Sequence, residues 1–201
     1  TTEYSDGWVG RYYALESELQ TINIAPSVAY KLDNNWSIGA GVQMQYAYAR
    51  LTSASNYGAL AAPDGKAVLE GDDIGLGFNL GALYEYDEDT RVGVSYRSQV
   101  KHNLKGFLRL QGVPAAVAAL PQFQNADIEA ELITPDVLSI GGYHALNDEW
   151  AVLGELSWTQ WSVFNQLTVQ NTGGGLTRQD VDEDWEDTFF MAVGTEYTYD
   201  D

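Results

Sequence analysis

The 201-residue sequence contains no cysteine, which excludes disulfide frameworks, thiolate metal centres and cysteine nucleophiles. Basic residues are scarce: 10 Lys and Arg stand against 29 Asp and Glu, a formal charge of -19. That balance argues against a nucleic-acid partner, because neutralising phosphates takes clustered cations. No apolar run approaches the ~18 residues of a membrane-spanning helix. Bilayer-crossing strands carry a much weaker hydropathy signal, so a membrane β-barrel stays open.

What the sequence does have is period-two alternation. From Pro135 to Phe164, Leu138, Ile140, Gly142 and His144 alternate with Ser139, Gly141, Tyr143 and Ala145, placing successive side chains on opposite faces of a strand. Asn147, Asp148 and Glu149 supply turn chemistry. Trp150 restarts the pattern, with Val152, Leu156 and Trp158 against Ala151, Glu155, Ser157 and Thr159. The run extends to Thr168, beyond the ~9–11 residues that a tilted strand needs to cross a bilayer. Trp150 at one end, with Trp158 and Trp161 toward the other, matches the aromatic girdles of an outer-membrane barrel.

The same reading along the chain predicts about seven strands. From Leu19 to Leu32, Ile22, Ile24, Val28 and Tyr30 share a face, and Pro26, lacking a ladder donor, implies an edge position or a bulge. Trp36 restarts the pattern after a turn at Asn34, with Ile38, Ala40, Val42, Met44 and Tyr46 outward. Ile74, Leu76, Phe78, Leu80 and Tyr84 follow on the next strand. Arg91 to about Leu110 reads as one strand with Val92, Val94, Tyr96, Val100 and Leu104 opposite Arg97, Gln99, Lys101, Asn103 and Lys105. Asp127, Glu129 and Glu131 share a face, and the last strand sets Phe189, Met191, Val193, Tyr197 and Tyr199 against Phe190, Ala192, Gly194 and Glu196.

Short turns recur near Asn34, Glu88, Asp148 and Asp200. Long loops are expected at Thr52 to Glu70, at Gln111 to Asn125 with a short helix between Pro114 and Pro121, and over Asn171 to Gly175 and Asp180 to Asp184. Short turns on one side and long loops on the other describe an outer-membrane meander. The expected fold is all-β, an antiparallel transmembrane β-barrel meander, with residues 1–201 forming one partial barrel domain. The odd strand count and the abrupt ends are read as those of a fragment.

The segment from Leu69 to Phe107 resembles the outer-membrane long-chain fatty-acid transport family, the FadL type that includes importers of aromatic hydrocarbons. The resemblance rests there on GDD, GFNLGALYEYD, SYRSQVKH and KGF, and elsewhere on NNWSIGAG from Asn34, WTQWSVF from Trp158 and GTEYTYDD from Gly194. It implies a fourteen-stranded barrel closed by an N-terminal hatch. This chain would be its fourth to tenth strands, with the hatch and terminal strands absent. It further implies the outer membrane of a Gram-negative bacterium and a monomer in contact with outer-membrane lipid and lipopolysaccharide. The implied activity is passive diffusion of long-chain fatty acids or other hydrophobic compounds through a ligand-binding barrel, with no catalysis and no cofactor. The alternative is a non-specific porin or a structural or adhesive barrel.

In that family a capture groove lies between the third and fourth extracellular loops, which by this register are Thr52 to Glu70 and Gln111 to Asn125. Val113, Val117, Leu120 and Phe123 are the apolar candidates in the second loop, since an exposed apolar patch marks a binding site; packing of the loop on itself is the competing account. Arg97, Lys101 and Lys105, spaced by four, are assigned to the lumen face, to guide an anion or to pair with Glu129, Glu131 or Glu155. Arg50 has the parity of the lipid face and could meet lipid phosphate. Glu186 stands where some relatives are expected to carry a basic residue, which leaves room for a neutral ligand. Pro135 marks a bulge or a gap in the wall. Asp180, Asp182 and Asp184 could hold calcium, although a solvated face is the simpler reading. His102 and His144 share the lipid-face parity, a poor place for a general base.

Overall fold

The computed structural model describes residues 1–164, 166–171, 179–182 and 184–199. Its sheet is an open, curled antiparallel half-barrel. Twelve of the thirteen strand segments among the described residues line up as seven staves in chain order. These are β2 (Glu16–Ile24) with β3 (Ser27–Lys31), β4 (Trp36–Ser55), β5 (Gly65–Glu85), β6 (Thr90–Arg97) with β7 (Val100–Gln111), β8 (Ala126–Thr134) with β9 (Val137–Ala145), β10 (Trp150–Thr159) with β11 (Gln166–Asn171), and β12 (Gln179–Asp182) with β13 (Thr188–Tyr197). The two-residue β1 (Thr2–Glu3) pairs with β2.

The turns follow from their residues. Asp33 accepts bonds from the amides of Asn35 and Trp36, and Asn147 does the same for Glu149 and Trp150. Each turn thus ends on a tryptophan whose ring packs at a tilt against a neighbouring tyrosine, Trp36 with Tyr84 at 4.8 Å and Trp150 with Tyr197 at 4.7 Å. These pairs mark one rim of an apolar band on the convex face. On β5 the band runs from Ile74 to Tyr84. That is about 33 Å along the strand at ~3.3 Å per residue, or about 23 Å of height at ~45° tilt, close to the ~25 Å apolar band of an outer-membrane barrel.

Several expectations are corrected. The loop expected at Thr52 to Glu70 is confined to 56–64, because β4 and β5 pair all the way to Ser55 and Gly65, with buried Thr52 opposite buried Val68. Pro114 to Pro121 forms hydrogen-bonded turns rather than a helix, and a 3-10 turn follows at Pro121–Phe123. Asp180 and Asp182 lie on strand β12, not in a loop; Gly173 to Gly175 and Glu183 lie outside the described residues. Pro26 sits on the edge stave with no bulge, since β2 and β3 hold one continuous register against β4.

The largest departure is in the stave from Arg91 to Leu110. Against β5, β6 and β7 differ in register by one residue: Asn79 pairs with Arg97, but Asp72 pairs with Lys105. The extra residue falls at Ser98–Gln99, a β-bulge that exchanges the two faces of everything beyond it. The next stave breaks at Pro135–Asp136, level with the bulge, and keeps its register with β6 and β7 throughout. Side chains replace the lost ladder bonds. Ser98 Oγ accepts from the Phe78 amide, Asp136 Oδ1 from the Gln99 amide and the Tyr96 hydroxyl, and Thr134 Oγ1 from the Val100 amide. The following stave absorbs the offset in a 3-10 turn at Trp161–Val163, where the Gln160 amide donates to the Asp136 carbonyl.

Candidate functional site

Beyond the bulge, apolar side chains on β7 and β8 point into the concave face. Leu104, Ile128 and Leu132 are buried there with Ala47, beside Ala49 and Ala130. They line a cavity of about 460 Å³ together with Leu19, Leu51, Leu69 and Val169. One end is closed by aromatic rings: Trp185 meets Phe164 edge-on at 5.2 Å and Trp161 at 5.0 Å. Glu18 and Glu70 border the lining, but their register turns the carboxylates to the convex face, where Glu70 meets Arg109; among the described residues no lysine or arginine lines the cavity.

Beneath the cavity lies a polar collar on the same concave face. His102, only 1% exposed, lies across Gly75 and shares a hydrogen bond between Nε2 and Gln45 Oε1 at 2.9 Å. Thr134 Oγ1 donates to the same oxygen at 3.3 Å. Asn23 donates to Gln43, which donates to the Phe78 carbonyl. Asp73 Oδ2 accepts from the Asn103 amide and stands 3.7 Å from His102 Nδ1. Below the collar the concave face widens into a glycine-lined basin of about 690 Å³ that includes Gly93, Gly141, Gly154 and Gly194, with Ser139 and Glu155 at its wall.

The candidate residues separate into three groups. Arg97 keeps the lumen parity, opposite Asn79. Lys101 and Lys105 do not: the bulge turns them to the convex face, where Lys105 Nζ lies 3.9 Å from Glu129. The expected Lys105–Glu129 pairing occurs, but outside the barrel wall. The same reversal moves His102 from the lipid face to the lumen, while His144 stays on the convex face, bonded to Thr90. Val113, Val117, Leu120 and Phe123 stand in the loop 112–125, above the cavity and, among the described residues, not in its lining. Phe123 packs edge-on against buried Tyr57 of the loop 56–64 at 6.0 Å, so the two loops touch. Arg50 Nε is 3.5 Å from Glu16 on the convex face.

The loop 56–64 is tied to the first residues of the chain. Arg11 Nε and the Tyr12 hydroxyl both donate to Asp64. The Arg11 guanidinium, and then the Tyr12 hydroxyl, hold the Asp64 carboxyl below the ordinary carboxylate value.

Sequence reasoning misses the cavity because Arg91 to about Leu110 reads as one straight strand, which puts Leu104 on the lipid face. The available signal was charge: Lys101, Lys105, Glu129 and Glu131 face one way, and a lumen below two long loops has little reason to collect all four.

A family model described as an outer membrane protein transport protein (OMPP1/FadL/TodX) matches residues 1–201. The long-chain fatty acid transport protein of Escherichia coli O6:H1 is 32% identical over 231 residues, covering 99% of this chain and 51% of that protein. A 47 kDa outer membrane protein of Pasteurella multocida is 31% identical over 216 residues, covering 98% of this chain and 50% of that one. Among solved structures, a Pseudomonas aeruginosa FadL homologue superposes with a TM-score of 0.87 at 23% identity, over 99% of this chain and 51% of that chain. The Ralstonia pickettii toluene transporter TbuX gives 0.73 at 22% identity, over 92% and 53%. The chain spans about half the length of the curated relatives it matches. It belongs to this family of outer-membrane transport proteins, and hence to the outer membrane rather than among enzymes.

Proposed function

We propose that, as a member of the OMPP1/FadL/TodX family, this chain supplies half the wall of an outer-membrane barrel that takes up hydrophobic molecules by passive diffusion. Long-chain fatty acids and aromatic hydrocarbons are the candidate cargoes. The observation that carries the reading is the apolar cavity under the two touching loops, which offers a tail or a ring a dry site on the concave face. In the proposed sequence Val113, Val117, Leu120 and Phe123 collect the ligand at the loops, and Leu104 and Leu132 receive it below. Arg97 lies deeper, toward the basin, as the lumen cation that an acidic head could meet. The absence of lysine and arginine from that lining, among the described residues, favours a neutral ligand over a carboxylate. The barrel acts as a monomer, with its convex band against outer-membrane lipid and lipopolysaccharide.

Uptake of radiolabelled oleate and toluene by cells expressing the protein tests this, with Val117→Asp/Phe123→Asp and Leu104→Asp variants in parallel. Saturable uptake that both variants weaken about tenfold is expected, and the preferred label identifies the cargo. Uptake equal to that of barrel-free cells refutes transport and returns the reading to a porin or a structural barrel.

A further inference from the structure

Of the 10 Lys and Arg, five project from the convex face at or beyond the loop-side edge of the apolar band: Arg50, Lys66, Lys101, Lys105 and Arg109. Among the described residues no lysine or arginine lies deeper in that band or below it on the same face. Lys101, Lys105 and Arg109 owe their position to the bulge at Ser98–Gln99, since a straight strand would aim them into the lumen. Lys105 is the register partner of Asp72, two residues beyond Ile74, where the band on β5 ends. Lys101 lies four residues further down β7, level with Leu76 just inside the band. The two lysines therefore bracket the level at which acyl chains give way to headgroups, with Cα atoms ~13 Å apart along the strand.

The three cations differ in freedom. Arg109 is held by Glu70 at 3.1 Å and lies 5.9 Å from the Phe107 ring centroid. The Lys105 side chain is 70% exposed and only loosely met by Glu129, and among the described residues Lys101 makes no ion pair. Asn103, exposed between them, adds an amide donor. Asp72, Glu129 and Glu131 on the same face repel a diffuse anionic surface, so attraction is confined to phosphates that reach both ammonium groups.

We propose that Lys101 and Lys105, with Asn103 between them, bind the two phosphates of a bisphosphorylated lipid headgroup in the outer leaflet. This gives residues and chemistry to the lipid contact proposed above and rests only on the outer-membrane setting, not on what crosses the lumen.

The test reconstitutes the protein in phosphatidylcholine nanodiscs with graded bisphosphorylated lipid A and counts bound lipid by native mass spectrometry. A juxtamembrane lysine strengthens anionic-lipid binding about fivefold, so Lys101→Gln/Lys105→Gln should bind about 30-fold more weakly. Lys101→Arg/Lys105→Arg should retain binding, and monophosphorylated lipid A should bind the wild type about fivefold more weakly. Equal binding by the wild type and the glutamine variant overturns the proposal, as does displacement by equimolar inorganic phosphate. Oleate and toluene uptake by the glutamine variant should stay at the wild-type level, so either proposal can fail without the other.

Discussion

Gly106→Ala should destabilise the wall far more than the same exchange at Gly81. Gly106 pairs with Gly71 across β5 and β7. A Cβ built on it would lie 1.8 Å from the Glu70 carbonyl oxygen and 2.6 Å from the Gly71 Cα, both backbone atoms that cannot rotate away. Relief needs a backbone displacement of more than an ångström in a paired strand, and overpacking of this kind costs about 1–3 kcal/mol. The upper end applies because the obstacle is a ladder rather than a side chain. Gly81→Ala is the matched control: its Cβ would meet only the Val94 carbonyl oxygen at 3.7 Å, an ordinary contact. Lower backbone entropy in the unfolded chain makes that exchange neutral or stabilising by up to ~1 kcal/mol. Equilibrium urea unfolding in phosphatidylcholine vesicles, followed by tryptophan fluorescence, reads both. Equal midpoints for Gly106→Ala and Gly81→Ala would refute the close approach of β5 and β7, and with it the register that defines the reversed upper wall.

Gln45→Leu leaves His102 Nε2 and the Thr134 hydroxyl facing a methyl group in place of their shared acceptor, which should cost about 1–3 kcal/mol in the same unfolding assay. At the loops, the depressed pKa of Asp64 means that its contact with Arg11 and Tyr12 stabilises the fold above the unfolded carboxylate value and is lost as pH falls through the folded one. Hydrogen-exchange protection over residues 8–15 and 56–64, measured relative to the intrinsic rate at each pH, should therefore fall once the pH drops below the ordinary Asp value of ~3.9. Asp64→Asn should show the lower protection already at pH 7 and no further loss on acidification.

The alternation in the sequence distinguished the two faces of every stave but not which face was inside. In Val92, Val94 and Tyr96 the apolar residues seek lipid. Leu104 occupies the same parity but seeks the cavity, because above the band the outside is water. A period-two pattern is identical in both cases, and only the residue inserted at Ser98–Gln99 records the exchange. Elements whose surroundings do not change along their length were legible: the Asp33 and Asn147 turns, the tryptophans that follow them, the order of the seven staves and the continuous band on β5. The strand ends were less so. Thr52 and Val68 pair because each buries the other, which is a relation between two distant segments that neither announces alone.

Because the staves β6–β7 and β8–β9 break at one level and stay in register with each other, the polar seam is a splice line. Above it stands a cup with a greasy interior and charged exterior; below it, a sleeve with the opposite assignment. A chimera that joins another relative's cup to this sleeve at Ser98–Gln99 and Pro135–Asp136 preserves both inside-outside assignments. A junction placed even one residue off in a single stave turns that stave inside out.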